Sequence, residues 1–368
     1  MTPVSARAKP LNVLVVTPLG PRGRGGIDRL MDAVAAELAA SPEPGLTCRF
    51  VTSRGDGALI ESLPRMLGCM AAMVWLKATG RLDMLHVNMA SHGSTWRKMT
   101  LIRLSRWLGV PYVIHLHGPE FHDYWRSRSA GARRRIADAF ERAARTIVLG
   151  RFWRALVESE APAAGPRIVV LPNGVRAPAD PTVPDPDAPT ILMLGQLGVR
   201  KGLPVLVEAL GRLAARPGWR AVLAGDGPAD ALRRELEAAG LASRVSVPGW
   251  VAAPEVDRLL STSDILVLPS LHEGLPLSVI EGMAHGLAVV STPVGATAEI
   301  VEDGVTGLLV PPGDAAALAG ALSRLLDDVD LRRRLGAAAR AYHARELDLE
   351  PYVRRLAQVW RAAATPRS

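Results

Sequence analysis

The stretch Ile265-Leu-Val-Leu-Pro-Ser-Leu-His-Glu-Gly-Leu-Pro-Leu-Ser-Val-Ile-Glu281 passes from four apolar residues through a short loop into a segment with helical spacing. The apolar run Ile265–Leu268 reads as a buried strand, and Pro269 closes it. Gly274 permits a tight loop, and Pro276 suits the first turn of a helix. Such a helix start leaves backbone N–H groups unpaired from about Leu277 onward, with the positive end of the dipole pointing outward, which suits phosphate. Glu281 then lies roughly 6 Å along the helix axis, about one turn in. A carboxylate there can accept hydrogen bonds from two neighbouring hydroxyls, as a ribose presents. Glu273, in the loop with Gly274 and Leu275, can meet the hydroxyls of a hexose. Two glutamates serving two sugars around one diphosphate describe a nucleotide-sugar site. The competing reading is a solvated loop glutamate and a helix-surface glutamate.

Outward from this strand–loop–helix unit, the same alternation fills the chain. Strands are expected at Asn12–Thr17, Cys48–Ser53, Met84–Asn88, Tyr112–Leu116, Thr146–Leu149 and Ile168–Leu171, and again at Thr190–Leu194, Arg220–Ala224, Arg244–Val247, Ile265–Leu268, Ala288–Ser291 and Gly307–Val310. Amphipathic stretches such as Asp28–Ala40, Pro204–Ala215 and Ala229–Ala239 lie between them. Alternating strand and helix predicts parallel sheets with helices on both faces. The proline-rich segment 179–189 interrupts the pattern, because proline suits neither helix nor strand interiors. The fold class expected is therefore α/β, with two doubly wound Rossmann-like domains facing across a cleft. The first spans 1–178 and the second 190–348. A C-terminal helix in 349–368 is expected to pack back on the first domain.

Two further loops carry chemistry at strand ends, where ligands bind in such sheets. Gly195-Gln-Leu-Gly-Val-Arg-Lys-Gly202 follows the strand Thr190–Leu194. Arg200 offers a fork of donors and Lys201 a point charge, which together suit a diphosphate leaving group. Gly20-Pro-Arg-Gly-Arg-Gly-Gly-Ile27 follows the first strand, and its glycines let the backbone approach a ligand. It lacks the third glycine of a dinucleotide fingerprint, having Asp28 there. In Ile114-His-Leu-His-Gly118, strand alternation sends His115 and His117 to one side. The position of His117 at the strand end favours it for ligand contact, with a structural role as the alternative. No cysteine or acidic cluster accompanies the pair, so no metal site is expected. Asp185-Pro-Asp187 and Asp328-Val-Asp330 read as solvated surface.

Cys48 and Cys69 have no metal or redox spacing, and the longest apolar run, Met66–Leu76, is short of the roughly 20 residues that span a bilayer. A cytoplasmic protein is expected. The net charge of +8 is uneven: residues 1–180 hold 25 Lys+Arg and 14 Asp+Glu, the remainder 19 and 22. The first half is thus the basic one, which points to an acidic partner for it.

Taken together, these motifs resemble those of retaining glycosyltransferase family 4, of GT-B architecture. The resemblance runs through Gly25-Gly26, His117-Gly118, Leu171-Pro-Asn-Gly-Val175, Gly195 with Arg200-Lys201, Gly225-Asp-Gly-Pro228, the pair Glu273 and Glu281, and Pro293-Val-Gly295 with Gly304-x-x-Gly307. It implies a UDP- or GDP-hexose donor held mainly by the second domain and an acceptor held by the first. Arg200 and Lys201 would stabilise the departing diphosphate, Glu281 would hold the ribose, and Glu273 and His117 would contact the hexose. Gly25, Gly26, Gly195, Gly274 and Leu275 complete the donor set. The resemblance also implies retention of anomeric configuration, no cofactor and no divalent metal. Because no residue is an evident nucleophile, it favours front-face attack over a covalent intermediate. The alternatives are another GT-B enzyme, such as a sugar-nucleotide epimerase or a phosphorylase, and a non-catalytic nucleotide-sugar binder.

The acceptor is less legible. Gly25–Met31 is similar to the corresponding stretch of bacterial mannosyltransferases of exopolysaccharide assembly, which implies a lipid-linked or saccharide acceptor in cell-surface glycan biosynthesis. Trp96–Leu108 reads as a basic amphipathic helix, with Arg97, Arg103 and Arg106 beside Leu101, Leu104, Trp107 and Leu108. Arg126, Arg128 and Arg133-Arg-Arg135 form a second basic cluster. Both suit docking on an anionic membrane surface, the inner face of the plasma membrane. No nucleic-acid motif is present.

Overall fold

The computed structural model describes residues 9–21, 23, 25–55, 62–178 and 189–365. All of the expected linker except Pro189 lies outside these, and Asp185-Pro-Asp187 with it. The chain forms two compact units, one of Met1–Gly174 with Leu349–Ser368 and one of Val175–Asp348.

Unit 1 contains, in chain order, β1 (Leu11–Thr17), α1 (Gly26–Ala40), β2 (Leu46–Thr52), α2 (Ser62–Ala78), β3 (Met84–Met89), α3 (Gly93–Trp107), β4 (Tyr112–Leu116), α4 (Phe121–Arg126), α5 (Ala130–Arg142), β5 (Arg145–Val148), α6 (Arg151–Glu160) and β6 (Ile168–Val170). Unit 2 contains β7 (Thr190–Leu194), α7 (Leu203–Arg212), β8 (Arg220–Ala224), α8 (Ala229–Ala238), β9 (Val245–Gly249), α9 (Ala253–Ser261), β10 (Ile265–Leu268), α10 (Leu277–Ala284), β11 (Ala288–Ser291), β12 (Leu308–Leu309), α11 (Ala315–Asp327) and α12 (Val329–Glu346). The last helix, α13 (Leu349–Ala364), returns to unit 1 and packs on α1, β1 and β4.

Every pairing within the two six-stranded sheets is parallel. The orders are β2-β1-β3-β4-β5-β6 and β12-β11-β10-β7-β8-β9. Helices cover both faces of such sheets, so their strands are apolar without alternation; β3, β4, β10 and β11 are buried along their whole lengths. All twelve expected strands are present. β4, β7, β8, β10 and β11 begin and end where the sequence places them, and the rest shift by one or two residues. One side chain on α3 departs from the expectation. Trp107 was placed with the apolar positions, yet it is 80% exposed, because the side of that helix that turns inward carries Thr95, Lys98, Leu101, Ile102 and Ser105. Asp328 is the N-cap of α12, accepting from Leu331 N at 2.8 Å.

The core of unit 1 holds polar residues that the apolar pattern hides. Trp360 of α13 is fully buried and donates its indole N–H to His86 Nδ1 at 3.0 Å. The His86 ring stands edge-on to both Trp360 and His115, and His115 lies 3.9 Å, centroid to centroid, from His117. Burial holds all three imidazoles neutral: His86 falls to about 4, His117 to about 3 with His86 adding to the effect, and His115 well below the ordinary histidine range. The linkage sign follows. Unfolded histidines take up protons below about pH 6.5 while these stay neutral, so folding stability is fully present above that pH and falls below it. Between pH 7 and pH 5, equilibrium unfolding in urea should therefore show a loss of roughly 2 kcal/mol for each of His86 and His117. A stability unchanged between pH 7 and pH 5 would show that the imidazoles are not buried neutral.

Candidate active site

Strand order decides where each unit can bind a ligand. In unit 2, β7 leads to β8 and β9 in one direction, and the chain then crosses to β10, beside β7, and proceeds to β11 and β12 in the other. The crevice at the carboxyl ends of β7 and β10 is thus the point where the winding reverses, the usual ligand position in an open α/β sheet. The two loops that leave these strands are Gly195–Gly202 and Pro269–Pro276, which carry most of the residues expected to hold the donor.

The backbone forces these loops together. Leu271 N donates to Arg200 O at 2.9 Å. Gly202 is left-handed at φ +74°, and a β-carbon there would sit 1.9 Å from Pro269 O. On the other side, Gly295 at φ +60° brings its backbone against Glu273, where a β-carbon would lie 2.1 Å from Glu273 O. Ala296 N donates to Gly274 O at 3.0 Å, and Thr292 Oγ1 to Ser270 O at 2.6 Å.

Within that frame the side chains meet. Lys201 Nζ donates to Glu273 Oε1 at 2.5 Å, Ser270 Oγ donates to the same oxygen at 2.7 Å, and Arg200 Nη1 lies 3.9 Å from Glu273 Oε2. Glu273 is only 6% exposed. The sequence reading assigned Glu273 to a sugar and the two cations to a diphosphate, as separate contacts; the structure makes them one cluster. An ammonium has three protons, so Lys201 can hold Glu273 and still present donors to a second anion. Leu275 is buried in the same loop, and Gly195 opens the other at φ +147° beside the Lys201 side chain. Glu281 is the fifth residue of α10 and is buried. The first amides of this helix have no acceptor within it, with Gly274 and Leu275 just before them.

The remaining expected residues lie in unit 1. Its winding reverses between β1 and β3, and the glycine loop leaves β1. Gly25 caps α1 in extended backbone without a side chain, and Gly26 begins the helix. Asp28, which occupies the place of the missing fingerprint glycine, is 1% exposed and accepts from Leu19 N at 2.9 Å and Gly20 N at 3.0 Å. It fastens the loop, and burial raises its carboxyl above the usual range. His117 follows β4 and meets Asn88 Oδ1 through Nε2 at 2.9 Å. Asn88 Nδ2 donates to Val16 O, so Oδ1 is the acceptor and Nε2 carries the proton, leaving Nδ1 of the neutral ring to accept.

Ser270, Asn88 and Asp28 were not singled out as site residues from the sequence. Asn88 carried a signal, being an amide in the otherwise buried strand Met84-Leu-His-Val-Asn-Met89. Ser270 carried none beyond standing three residues before Glu273.

Residues 24–177 match the family described as Glycosyltransferase Family 4, and residues 188–328 match that described as Glycosyl transferases group 1. The chain is 31% identical over 296 residues to 2-deoxystreptamine N-acetyl-D-glucosaminyltransferase of Streptomyces fradiae, covering 73% of this chain and 69% of that one. The chain belongs to glycosyltransferase family 4. Alpha-D-kanosaminyltransferase of Streptomyces kanamyceticus is 33% identical over 177 residues, 48% of this chain and 46% of its own length. Among solved structures, the Anabaena protein HepE in complex with UDP-glucose superposes with a TM-score of 0.75 at 19% identity, covering 96% of this chain and all of that one. The fold is that of the GT-B glycosyltransferases, with two doubly wound α/β units.

Lys201→Ala should cost about 3 kcal/mol, because it leaves the Glu273 carboxylate buried with one hydroxyl and a more distant guanidinium. Glu273→Gln, which keeps the Ser270 contact and removes the charge, should cost less. Gly295→Ala should be the most damaging of the three, since it drives a methyl into the Glu273 carbonyl. Differential scanning calorimetry ranks them, and a Lys201→Ala protein as stable as the parent would mean the pair is not formed.

Proposed function

We propose that this glycosyltransferase moves a hexose from a UDP- or GDP-hexose to a lipid-linked or polysaccharide acceptor, with retention of anomeric configuration and without a divalent metal. The observation that carries the reading is the cluster of Arg200, Lys201, Glu273 and Ser270 at the reversal point of unit 2, beside the amide end of α10. Its free ammonium and guanidinium donors suit the charge that develops on a departing diphosphate. Glu281 takes the ribose hydroxyls, Glu273 a hexose hydroxyl, Gly25 and Gly26 present amides to phosphate, and His117 accepts a hydrogen bond from a hydroxyl of the transferred sugar. In the front-face reaction the acceptor oxygen bonds to the anomeric carbon as the bond from that carbon to the phosphate oxygen breaks. The acceptor proton passes to the leaving diphosphate, and no covalent sugar–protein intermediate forms. The UDP-glucose complex of the Anabaena neighbour supports the donor class.

The acceptor reading rests on unit 1. α2 is apolar on two sides: Met66, Cys69, Met73 and Leu76 face the core, while Leu63, Leu67, Val74 and Trp75 are exposed. Trp96 and Trp107 of α3 are exposed as well. Exposed apolar and aromatic side chains on basic helices suit an anionic membrane surface. Within the second basic cluster, Arg126 and Arg133 are both paired with Glu160, so they add little to such a surface. The Streptomyces fradiae relative is named for 2-deoxystreptamine, which raises the reading of a soluble aminocyclitol acceptor. The excess of positive charge in the first half disfavours a cationic acceptor by simple repulsion.

Thermal-shift screening against UDP- and GDP-sugars, GDP-mannose included, should show one donor raising the Tm. Lys201→Ala and Glu281→Ala should each abolish that shift and reduce transfer by at least about 100-fold. Proton NMR should find the product anomer equal to the donor anomer, with activity unchanged in EDTA. Full transfer by Lys201→Ala, or an inverted product, would overturn the reading. On phosphatidylcholine vesicles containing phosphatidylglycerol, Leu67→Ser with Trp75→Ser should lower binding about tenfold or more; binding equal to that of the parent would remove α2 from the membrane face.

A further inference from the structure

The helices α3 and α5 of unit 1 flank an open cavity of about 200 Å³ whose walls carry Arg103 and Arg106 from one helix and Arg134 and Arg135 from the other. Four arginines line it against a single carboxylate residue, Asp138. That carboxylate is already engaged. Arg106 Nη1 donates to Asp138 Oδ2 at 2.7 Å, and Arg142 Nε donates to Oδ1. Burial pushes the Asp138 carboxyl up, but these hydrogen bonds and charges outweigh it and hold the group below the usual range. Arg103, Arg134 and Arg135 have no ion-pair partner among the described residues. The two sequence segments that each looked basic on its own thus share one concavity.

Like charges repel, so a cluster of this kind costs stability unless an anion occupies it. Guanidinium forks match the geometry of phosphate oxygens. The floor is apolar, with Met99 and Ile102, against which arginine stems can lie. Sites for larger ligands run to roughly 300–1,000 Å³, so this cavity suits a phosphoryl head with a few linking atoms and not a whole sugar nucleotide. Trp107 adjoins Arg106 and is exposed, and aromatic residues of that kind sit at the headgroup level of a bilayer.

We infer that the cavity between α3 and α5 is a binding site for the phosphoryl headgroup of an anionic membrane lipid, with Arg103, Arg134 and Arg135 as its donors and Asp138 holding Arg106 in place. The inference rests on the reading that unit 1 meets a membrane, and it adds a specific headgroup site to that surface.

Sedimentation with vesicles of phosphatidylcholine, alone or with phosphatidylglycerol, tests it on the full chain. A variant carrying Arg103→Ala, Arg134→Ala and Arg135→Ala is compared with a charge-matched variant of unit 2 carrying Arg234→Ala, Arg324→Ala and Arg333→Ala. All six side chains are exposed, and near-ultraviolet circular dichroism checks that both variants fold. The expected result is a loss of roughly 100-fold in binding to the anionic vesicles for the pocket variant, about 1 kcal/mol per arginine, with the control within about twofold of the parent. Binding to phosphatidylcholine alone should be the same for all three proteins. Equal losses in both variants would overturn the pocket and leave the membrane reading standing, as would full anionic binding by the pocket variant. Absence of binding to any vesicle by the parent would overturn both. Stabilisation of the parent by soluble glycerol phosphate without vesicle binding would overturn the lipid source.

Discussion

The close passage of two backbone segments in unit 2 fixes the arrangement of its charged loops. The loop after β7 turns at Gly202 directly against the carbonyl of Pro269, and the loop after β10 turns at Glu273 directly against Gly295. No β-carbon fits at either place. The consequence is that Lys201 and Glu273, 72 residues apart in sequence, share a hydrogen bond in a place largely closed to water. A buried ion pair is a weak source of net stability, because both charges lose hydration. Here its effect is orientation. Glu273 fixes the ammonium, and Ser270 fixes Glu273. In the proposed reaction, preorganised charge of this sort would need no rearrangement.

Unit 1 solves a related problem with buried polar residues. Asp28 anchors its glycine loop by accepting two amides, from Leu19 and Gly20. Nearby, Lys98 is fully buried and donates to Ser53 Oγ at 2.7 Å. Ser53 in turn donates to Thr17 O, at the end of β1. Burial, with Arg97 adding to it, lowers the Lys98 ammonium to about 7, while Cys69 and Asp28 act in the opposite direction. The strand ends from which the loop departs are thus tied by polar contacts as well as by the sheet ladder. The histidines behind them are part of the core and stay uncharged.

Much of this was legible from residue order. Twelve strands could be placed because parallel strands buried on both faces are continuous apolar runs, and such runs are short, bounded and hard to mistake between amphipathic stretches. Arg200, Lys201 and Glu273 could be singled out because they are charged residues in glycine-flanked loops at strand ends, where ligands bind in such sheets. Trp107 could not be placed, because helical periodicity assigns a face only when one face is clearly polar, and α3 mixes arginine, tryptophan and leucine around its circumference. The exposed side of α2 was hidden for the same reason: a helix apolar on two sides looks like one that is simply buried.

The sequence by itself determined the α/β alternation, the positions of the loops and the kinds of charge they carry, since each of these depends on neighbours within a turn or a strand. Only the tertiary structure decided which loops meet. Strand order brought β7 beside β10, and that alone made one cluster of Lys201, Glu273 and Ser270. It also turned two separate basic segments, on α3 and α5, into a single arginine-lined cavity. The physical reason is the same in both cases. Hydrogen-bond distances and the exclusion of water depend on packing between segments far apart in the chain, and no local pattern of residues encodes that separation.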